Sequence, residues 1–135
     1  MPTRTLNILI VEDSRFLRMT SERALINAGH QVISAGDGED GLRLARECTP
    51  DLIVLDMMLP KLSGPSVLRA LQMDPRTASI PVMVLTSLPR TNETKLVRDG
   101  ATSYFEKSGL MLDKGPTGFV EEVEKTFSKA EAAGA

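Results

Sequence analysis

Five side chains that could carry chemistry each follow a short apolar run of this 135-residue sequence. They are two adjacent acids, a third acid, a hydroxyl and a lysine: Glu12, Asp13, Asp56, Thr86 and Lys107. Carboxylates suit a hard cation. Mg²⁺ fits such a site because it retains water ligands beside a bound phosphate. A lysine and a hydroxyl near such a group suit an incoming phosphoryl group.

Each of these residues alone has an ordinary explanation. Asp13, or the neighbouring Ser14, could cap a helix, Asp56 could be a loop aspartate, and Lys107 could be a solvated surface lysine. Taken together they are harder to explain in this way. Three uncompensated carboxylates in a dry site would repel one another by several kcal/mol, so a cation should lie among them.

The elements that position these residues are predicted from the apolar runs. The runs are short, β-branched and nearly continuous, as parallel strands covered on both faces require. They span 7–11, 31–34, 52–55, 81–85 and 102–105.

Segments with helical spacing lie after each run, and each separation leaves room for a crossover helix. The first is capped by Ser14 and ends near Gly29. The predicted helices span 14–28, 39–47, 64–73, 91–99 and 117–130. Along one side of the first helix we predict Phe16, Leu17, Thr20, Ala24, Leu25 and Ala28.

The alternation predicts an α/β fold, a five-stranded doubly wound parallel sheet in the flavodoxin-like order 2-1-3-4-5. In such sheets ligands bind at the carboxyl edge, where the strand order switches. That switch lies between the first and third strands. We therefore expect Glu12, Asp13 and Asp56 to face one another there, with Thr86 and Lys107 flanking them.

Composition limits the classes of protein. Apolar residues make up 41% and charged residues 25%, which is ordinary for a folded domain. The formal charge of −2 provides no strong field for nucleic acid or a membrane surface. The single cysteine, Cys48, is consistent with a reducing cytoplasm, and no apolar run approaches the roughly 18 residues of a membrane span. We expect one cytoplasmic domain over 1–135, with its core at about 6–130 and short flexible ends.

Four segments together resemble the receiver domain of two-component response regulators, of the single-domain, chemotaxis type. They span 7–14, 51–60, 81–87 and 100–107 and read NILIVEDS, DLIVLDMMLP, PVMVLTS and GATSYFEK. The resemblance extends from about Leu6 to Lys107 and more loosely through the last helix.

The resemblance implies a site with an acceptor and a metal. Asp56 would be the phosphoacceptor. Mg²⁺ would be held by Asp13, by Asp56, by Glu12 partly through water, and by the backbone carbonyl of Met58. The chain would be a signalling phosphoacceptor and not an enzyme, although it would catalyse its own phosphorylation and dephosphorylation.

The resemblance also implies a switch and partners. Thr86 would bond the phosphoryl oxygen, Lys107 would pair with it, and Tyr104 would be the switch aromatic, although Tyr104 could also be a plain core residue. The donor would be a histidine kinase or a histidine phosphotransfer protein. A downstream protein would bind the face made by the fourth helix, fifth strand and fifth helix, and direct binding to nucleic acid or membrane is not expected.

Other functions explain these residues less well. Gly36 to Gly41 reads G-x-G-x-x-G, but the acids inside it would repel a pyrophosphate, which favours a turn and helix cap. Glu12 and Asp13 are electrostatically wrong for a flavin phosphate. A scaffold that merely keeps the site is not excluded by sequence.

Four secondary features complete the expectations. His30 is interpreted as a loop residue and no ligand, and the arginines of the first helix (Arg15, Arg18 and Arg23) as a solvated face or a docking surface. The resemblance implies that Met58 and Leu88 flank the path of the attacking water, and because both are apolar we expect a long-lived phosphoryl group. A trans Lys107–Ser108 bond is expected, in a long loop over 108–118. The apolar residues 110–112 of that loop would either cover the sheet edge or bind a kinase or a second copy as a homodimer.

Overall fold

The computed structural model describes residues 5–86, 100–107 and 115–134, with side chains of the last segment described over 117–132. Its sheet has five parallel strands in the order β2-β1-β3-β4-β5, which confirms the predicted fold. The strands are β1 (Asn7–Val11), β2 (Gln31–Ala35), β3 (Leu52–Asp56), β4 (Val82–Thr86) and β5 (Ser103–Glu106).

Helices connect the strands and cover both faces of the sheet. In the described residues they are α1 (Arg15–Asn27), α2 (Gly38–Cys48), α3 (Gly64–Met73) and α4 (Gly115–Gly134). Side-chain oxygens of Ser14, Asp37 and Ser63 accept backbone N–H groups at the first turns of α1, α2 and α3, which satisfies donors that the helix leaves unpaired. The predicted fourth helix, over 91–99, lies outside the described residues. The helix labelled α4 here is therefore the one predicted as the fifth.

The last helix begins earlier than the sequence indicated. The spacing of apolar residues predicts a start at Thr117, but α4 begins at Gly115. The last residues of the predicted 108–118 loop therefore belong to the helix. The apolar residues at 110–112 and the Lys107–Ser108 bond lie outside the described residues, and the expectations for them stay predictions.

Two apolar clusters explain why the strands are nearly all apolar. On one face, alternate strand residues pack with α2 and α3, and on the other face the remaining ones pack with α1 and α4. Strands β3 and β4 are buried at every position. Because no face of these strands meets water, the alternation typical of a half-exposed strand is absent.

The inward face of α1 is narrower than predicted. Ser21 and Leu25 are fully buried and Leu17 packs against the core, but Phe16 is 61% exposed and Ala28 is exposed beyond the end of the helix. Phe16 precedes the buried Leu25 by nine residues, which at about 100° per residue places the two on opposite sides of the helix. The expectation for Phe16 and Ala28 is therefore wrong.

His30 lies in the loop after α1, as expected, but it is buried. Its Nδ1 accepts the backbone N–H of Leu6 at 3.1 Å, and its Nε2 lies 2.8 Å from Glu124 Oε2. An accepting Nδ1 assigns the hydrogen to Nε2, which then donates to Glu124. His30 thereby ties α4 to the segment that leads into β1.

Candidate functional site

The register of the sheet brings the ends of β1, β3 and β4 together. Val11 pairs with Ala35 on one side and with Leu55 on the other, and Asp56 pairs with Leu85. Residues that follow these pairs therefore meet at one edge, because parallel strands end at the same side of a sheet. Three of the candidate residues, Glu12, Asp56 and Thr86, are nearly inaccessible to solvent there.

The loop between β1 and α1 holds the two adjacent acids differently. Glu12 donates its N–H to Ala35 O at 3.0 Å, and its Oε2 accepts the N–H of Ser14 at 3.0 Å. Asp13 is exposed. The loop thus turns one carboxylate into the protein and leaves the next one facing solvent.

Asp56 and Lys107 form the central ion pair. Asp56 Oδ1 accepts the N–H of Met58 at 3.1 Å, and Asp56 Oδ2 lies 2.9 Å from Lys107 Nζ. The same Nζ lies 3.5 Å from Glu12 Oε1. Lys107, which directly follows β5 and has a side chain 20% exposed, therefore faces both buried carboxylates as predicted.

Burial sets the protonation tendencies at this edge. It raises the pKa of Glu12 to about 7; the Ser14 N–H lowers that pKa, the neighbouring Asp56 raises it, and Lys107 lowers it by less. Burial also acts to lower the pKa of Lys107, but the hydrogen bond and charge of Asp56, with those of Glu12, outweigh burial and raise it. Negative charge is thus in excess, and one ammonium group compensates it only in part.

The donor set fits a hard divalent cation. Glu12, Asp13 and Asp56 each offer an oxygen, and these atoms lie within 4.8 Å of one another. Glu12 Oε1 and Asp56 Oδ2 are buried, and Lys107 Nζ faces both oxygens at 3.5 and 2.9 Å. All-oxygen ligation with an exposed carboxylate on one side is the chemistry of a Mg²⁺ site that keeps water ligands.

Thr86 and Tyr104 lie on neighbouring strands. Thr86 ends β4, two residues after Val84, and Val84 pairs with Tyr104 of β5. Side chains two apart on a strand share a face, so Tyr104 lies on the same side of the sheet as Thr86. Tyr104 is half-buried against the α2 and α3 cluster, so it is partly a core aromatic.

Comparison with known proteins decides the family. A family model described as the response regulator receiver domain matches residues 8–111. The chain belongs to the response regulator receiver domain family.

Curated relatives of this receiver domain include proteins of similar length. Protein PilH of Pseudomonas aeruginosa is 39% identical over 103 residues, covering 74% of this chain and 84% of PilH. The polar-differentiation response regulator DivK of Brucella ovis is 32% identical over 127 residues, covering 93% of this chain and 99% of DivK. The transcriptional regulatory protein AfsQ1 of Streptomyces coelicolor is 40% identical over 112 residues, but this chain spans only 48% of its length.

Solved structures share the fold. The N-terminal domain of a response regulator receiver protein from Methanoculleus marisnigri is 30% identical, with a TM-score of 0.71 over 76% of this chain and 85% of that one. The chemotaxis response regulator CheY4 of Vibrio cholerae has a TM-score of 0.82 over 91% of this chain and 99% of CheY4, at 23% identity. The second similarity concerns the fold alone.

One arginine of this receiver domain differs from the expectation of a solvated or docking face. The Nη1 of Arg18 donates to the carbonyl of Glu12 at 2.8 Å. Arg15 and Arg23 are exposed, as expected. The helical spacing of the sequence does not distinguish Arg18 from Arg15 and Arg23, because the partner of Arg18 lies in the loop before the helix.

The glycine-rich segment of the receiver domain serves packing. Asp37 Oδ1 accepts the N–H of Asp40 and caps α2. A Cβ at Gly38 would lie 1.9 Å from the carbonyl oxygen of Leu62, and one at Gly41 would lie 2.7 Å from Val11. These close approaches support the turn-and-cap interpretation over a dinucleotide site.

Among residues 5–86, 100–107 and 115–134, no helix is both long and apolar enough to cross a membrane.

Proposed function

We propose that the chain is a signalling phosphoacceptor that takes a phosphoryl group onto Asp56 from a phosphohistidine. The donor would be a histidine kinase or a histidine phosphotransfer protein. The observation that carries the proposal is the buried Asp56 carboxylate, which lies 2.9 Å from Lys107 Nζ and beside the carboxylates of Glu12 and Asp13. Family membership supports this placement.

The proposed step is a displacement at phosphorus. An oxygen of Asp56 attacks the phosphorus, a P–O bond forms, and the P–N bond to the donor imidazole breaks. The electron pair of the broken bond stays on the imidazole nitrogen, which takes up a proton. Lys107 neutralises charge on the transferring group, and its contact with Asp56 Oδ2 at 2.9 Å supports this role.

The metal requirement follows from the donor set. Asp13, Asp56, Glu12 partly through water, and the backbone carbonyl of Met58 would hold Mg²⁺. The bound ion would supply positive charge against the phosphoryl oxygens. The Met58 N–H already contacts Asp56 Oδ1, so the backbone of Met58 lies beside the acceptor.

Output would begin at Thr86. The new dianionic group would draw the Thr86 hydroxyl toward it, and Tyr104, on the same side of the sheet, would move into the space behind. Such a movement would alter the surface formed by β5, α4 and the predicted 91–99 helix. We propose that a downstream protein reads this surface, so that the response is a change in protein contact.

Incubation with acetyl phosphate and Mg²⁺ tests the proposed function. The intact protein should gain the mass of one phosphoryl group, because an acyl phosphate needs no protein donor. Asp56→Asn should not gain it, since an amide is a poor nucleophile, and chelation of the metal should prevent labelling of the unaltered protein. A mass gain that persists in Asp56→Asn would refute the assignment.

The protein donor would dock along α1. Phe16, Met19 and Ile26 are 61%, 43% and 56% exposed and share one side of the helix with Arg23. This apolar stripe starts in the first turn after the acidic loop, and Met58, which is 71% exposed, follows Asp56 by two residues. Exposed apolar area next to a reacting group is typical of a partner surface.

We expect Phe16→Ser with Met19→Ser to slow transfer from a phosphorylated histidine phosphotransfer protein about tenfold, while labelling by acetyl phosphate is unchanged. Only the protein donor needs the α1 surface. Met73→Ser is the matched control, because Met73 is 78% exposed at the far end of α3. Equal transfer rates for the double variant and the control would exclude α1 as the docking surface.

A further inference from the structure

Arg18 makes a contact that ordinary helix formation does not require. It is the fourth residue of α1, and its side chain runs back to donate from Nη1 to the carbonyl oxygen of Glu12, six residues earlier, at 2.8 Å. The contact is partly buried. A charged donor on a neutral carbonyl makes a stronger hydrogen bond than a neutral donor would.

Gly36 provides the space for this guanidinium. A Cβ on Gly36 would lie 3.2 Å from Arg18 Nη1 and 4.0 Å from Arg18 Cζ, so the side chain lies against the backbone that follows β2. The N–H of Glu12 donates to Ala35, the residue before Gly36. Both backbone polar groups of Glu12 are therefore fixed, one by the end of β2 and one by Arg18.

The fixed carbonyl belongs to the peptide unit that leads into Asp13. Among the described residues, no hydrogen bond or ion pair holds the Asp13 carboxylate, although its oxygen lies within 4.8 Å of oxygens of Glu12 and Asp56. Its place in that cluster is thus set by the backbone. Rotation about the Cα–C bond of Glu12 would turn this carbonyl away from Arg18 and would move the Cα and side chain of Asp13 with it.

We propose that Arg18 is a positioning residue for the metal site: through the Glu12 carbonyl it holds Asp13 where a divalent cation needs it. The inference rests on the proposed function for its biological meaning, but it concerns metal affinity. The sign of the change in affinity makes it testable. Removing a cation near a metal site strengthens Mg²⁺ binding if charge alone matters, whereas losing a positioning contact weakens it.

The experiment measures the Kd for Mg²⁺ of the full chain by titration calorimetry in four variants. Arg18→Met removes the contact, and Arg18→Lys keeps a donor and the charge. Gly36→Val displaces the guanidinium while leaving its charge in place, and the backbone at Gly36 does not need a left-handed conformation that would forbid a side chain. Arg15→Met is the matched control, since Arg15 is an exposed arginine at the start of the same helix.

We expect the Kd to rise about tenfold in Arg18→Met and in Gly36→Val, to recover partly in Arg18→Lys, and to stay unchanged in Arg15→Met. With Mg²⁺ at saturation, labelling of the variants by acetyl phosphate should return to within about twofold of the unaltered rate, because Arg18 acts on binding. An unchanged or lower Kd in Gly36→Val would overturn the proposal, and this variant decides the matter if Arg18→Met does not fold. Failure of the proposed function would look different: the unaltered chain would bind Mg²⁺ but take no label on Asp56.

Discussion

Lys107→Gln should slow the labelling of this receiver domain by acetyl phosphate about a hundredfold. Lys107 Nζ lies 2.9 Å from Asp56 Oδ2, where negative charge of the transferring group would accumulate. Glutamine keeps a donor but loses the charge and cannot neutralise a dianion. The rate is measured from intact mass against time, with Mg²⁺ at saturation for each variant.

Lys61→Gln is the control for the loss of a lysine. Lys61 is exposed and lies 3.7 Å from Asp37, outside the acidic cluster, so its variant should be labelled at the unaltered rate. Labelling of Lys107→Gln at that same rate would show that Lys107 has no part in the transfer. In that case the contact of Lys107 with Asp56 would be a purely structural ion pair.

Asp13→Asn should raise the Kd for Mg²⁺ at least about tenfold and slow labelling at low metal concentration, although Asp56 is intact. The amide retains an oxygen but removes a negative charge from the donor set. Because Asp13 is exposed and no described residue bonds its carboxylate, the unfolding temperature in the presence of a chelator should stay within a degree or two of the unaltered value.

Asp51→Asn provides the same loss of charge at the opposite edge of the sheet. Asp51 precedes β3, and its Oδ2 accepts the N–H of Asn7, a bond that an asparagine oxygen can replace. Its Kd for Mg²⁺ should not change. If Asp13→Asn binds Mg²⁺ as tightly as Asp51→Asn does, the cation site does not include Asp13.

The bounds of the strands could be predicted closely because the pattern that indicates a buried strand lies within the strand's own residues. Each buried strand is a continuous apolar run, and a polar residue marks the place where it leaves the core. Asp56 and Thr86 were expected just after β3 and β4 and are instead their last residues, which is a difference of one position. The strand order then brought Glu12, Asp13, Asp56 and Lys107 together as predicted.

Contacts between distant segments could not be predicted in this way. His30 was expected to be an ordinary loop residue, but its burial depends on Leu6 and on Glu124, which is 94 positions away along the chain. Arg18 was grouped with solvated arginines because nothing in the helical period indicates a side chain that turns back. Gly36, which has no side chain, leaves room for the Arg18 guanidinium. This role is evident only when β1 and β2 are known to be neighbours in the sheet.

The position of the phosphoryl group in the labelled protein shows whether Asp56 is the acceptor. After incubation with acetyl phosphate and Mg²⁺, reduction with borohydride converts a phosphorylated aspartate to homoserine, which peptide mass spectrometry locates. We expect homoserine at residue 56 and at no other acid, with none formed when the metal is chelated. Homoserine at residue 13, or label distributed over several carboxylates regardless of metal, would contradict it.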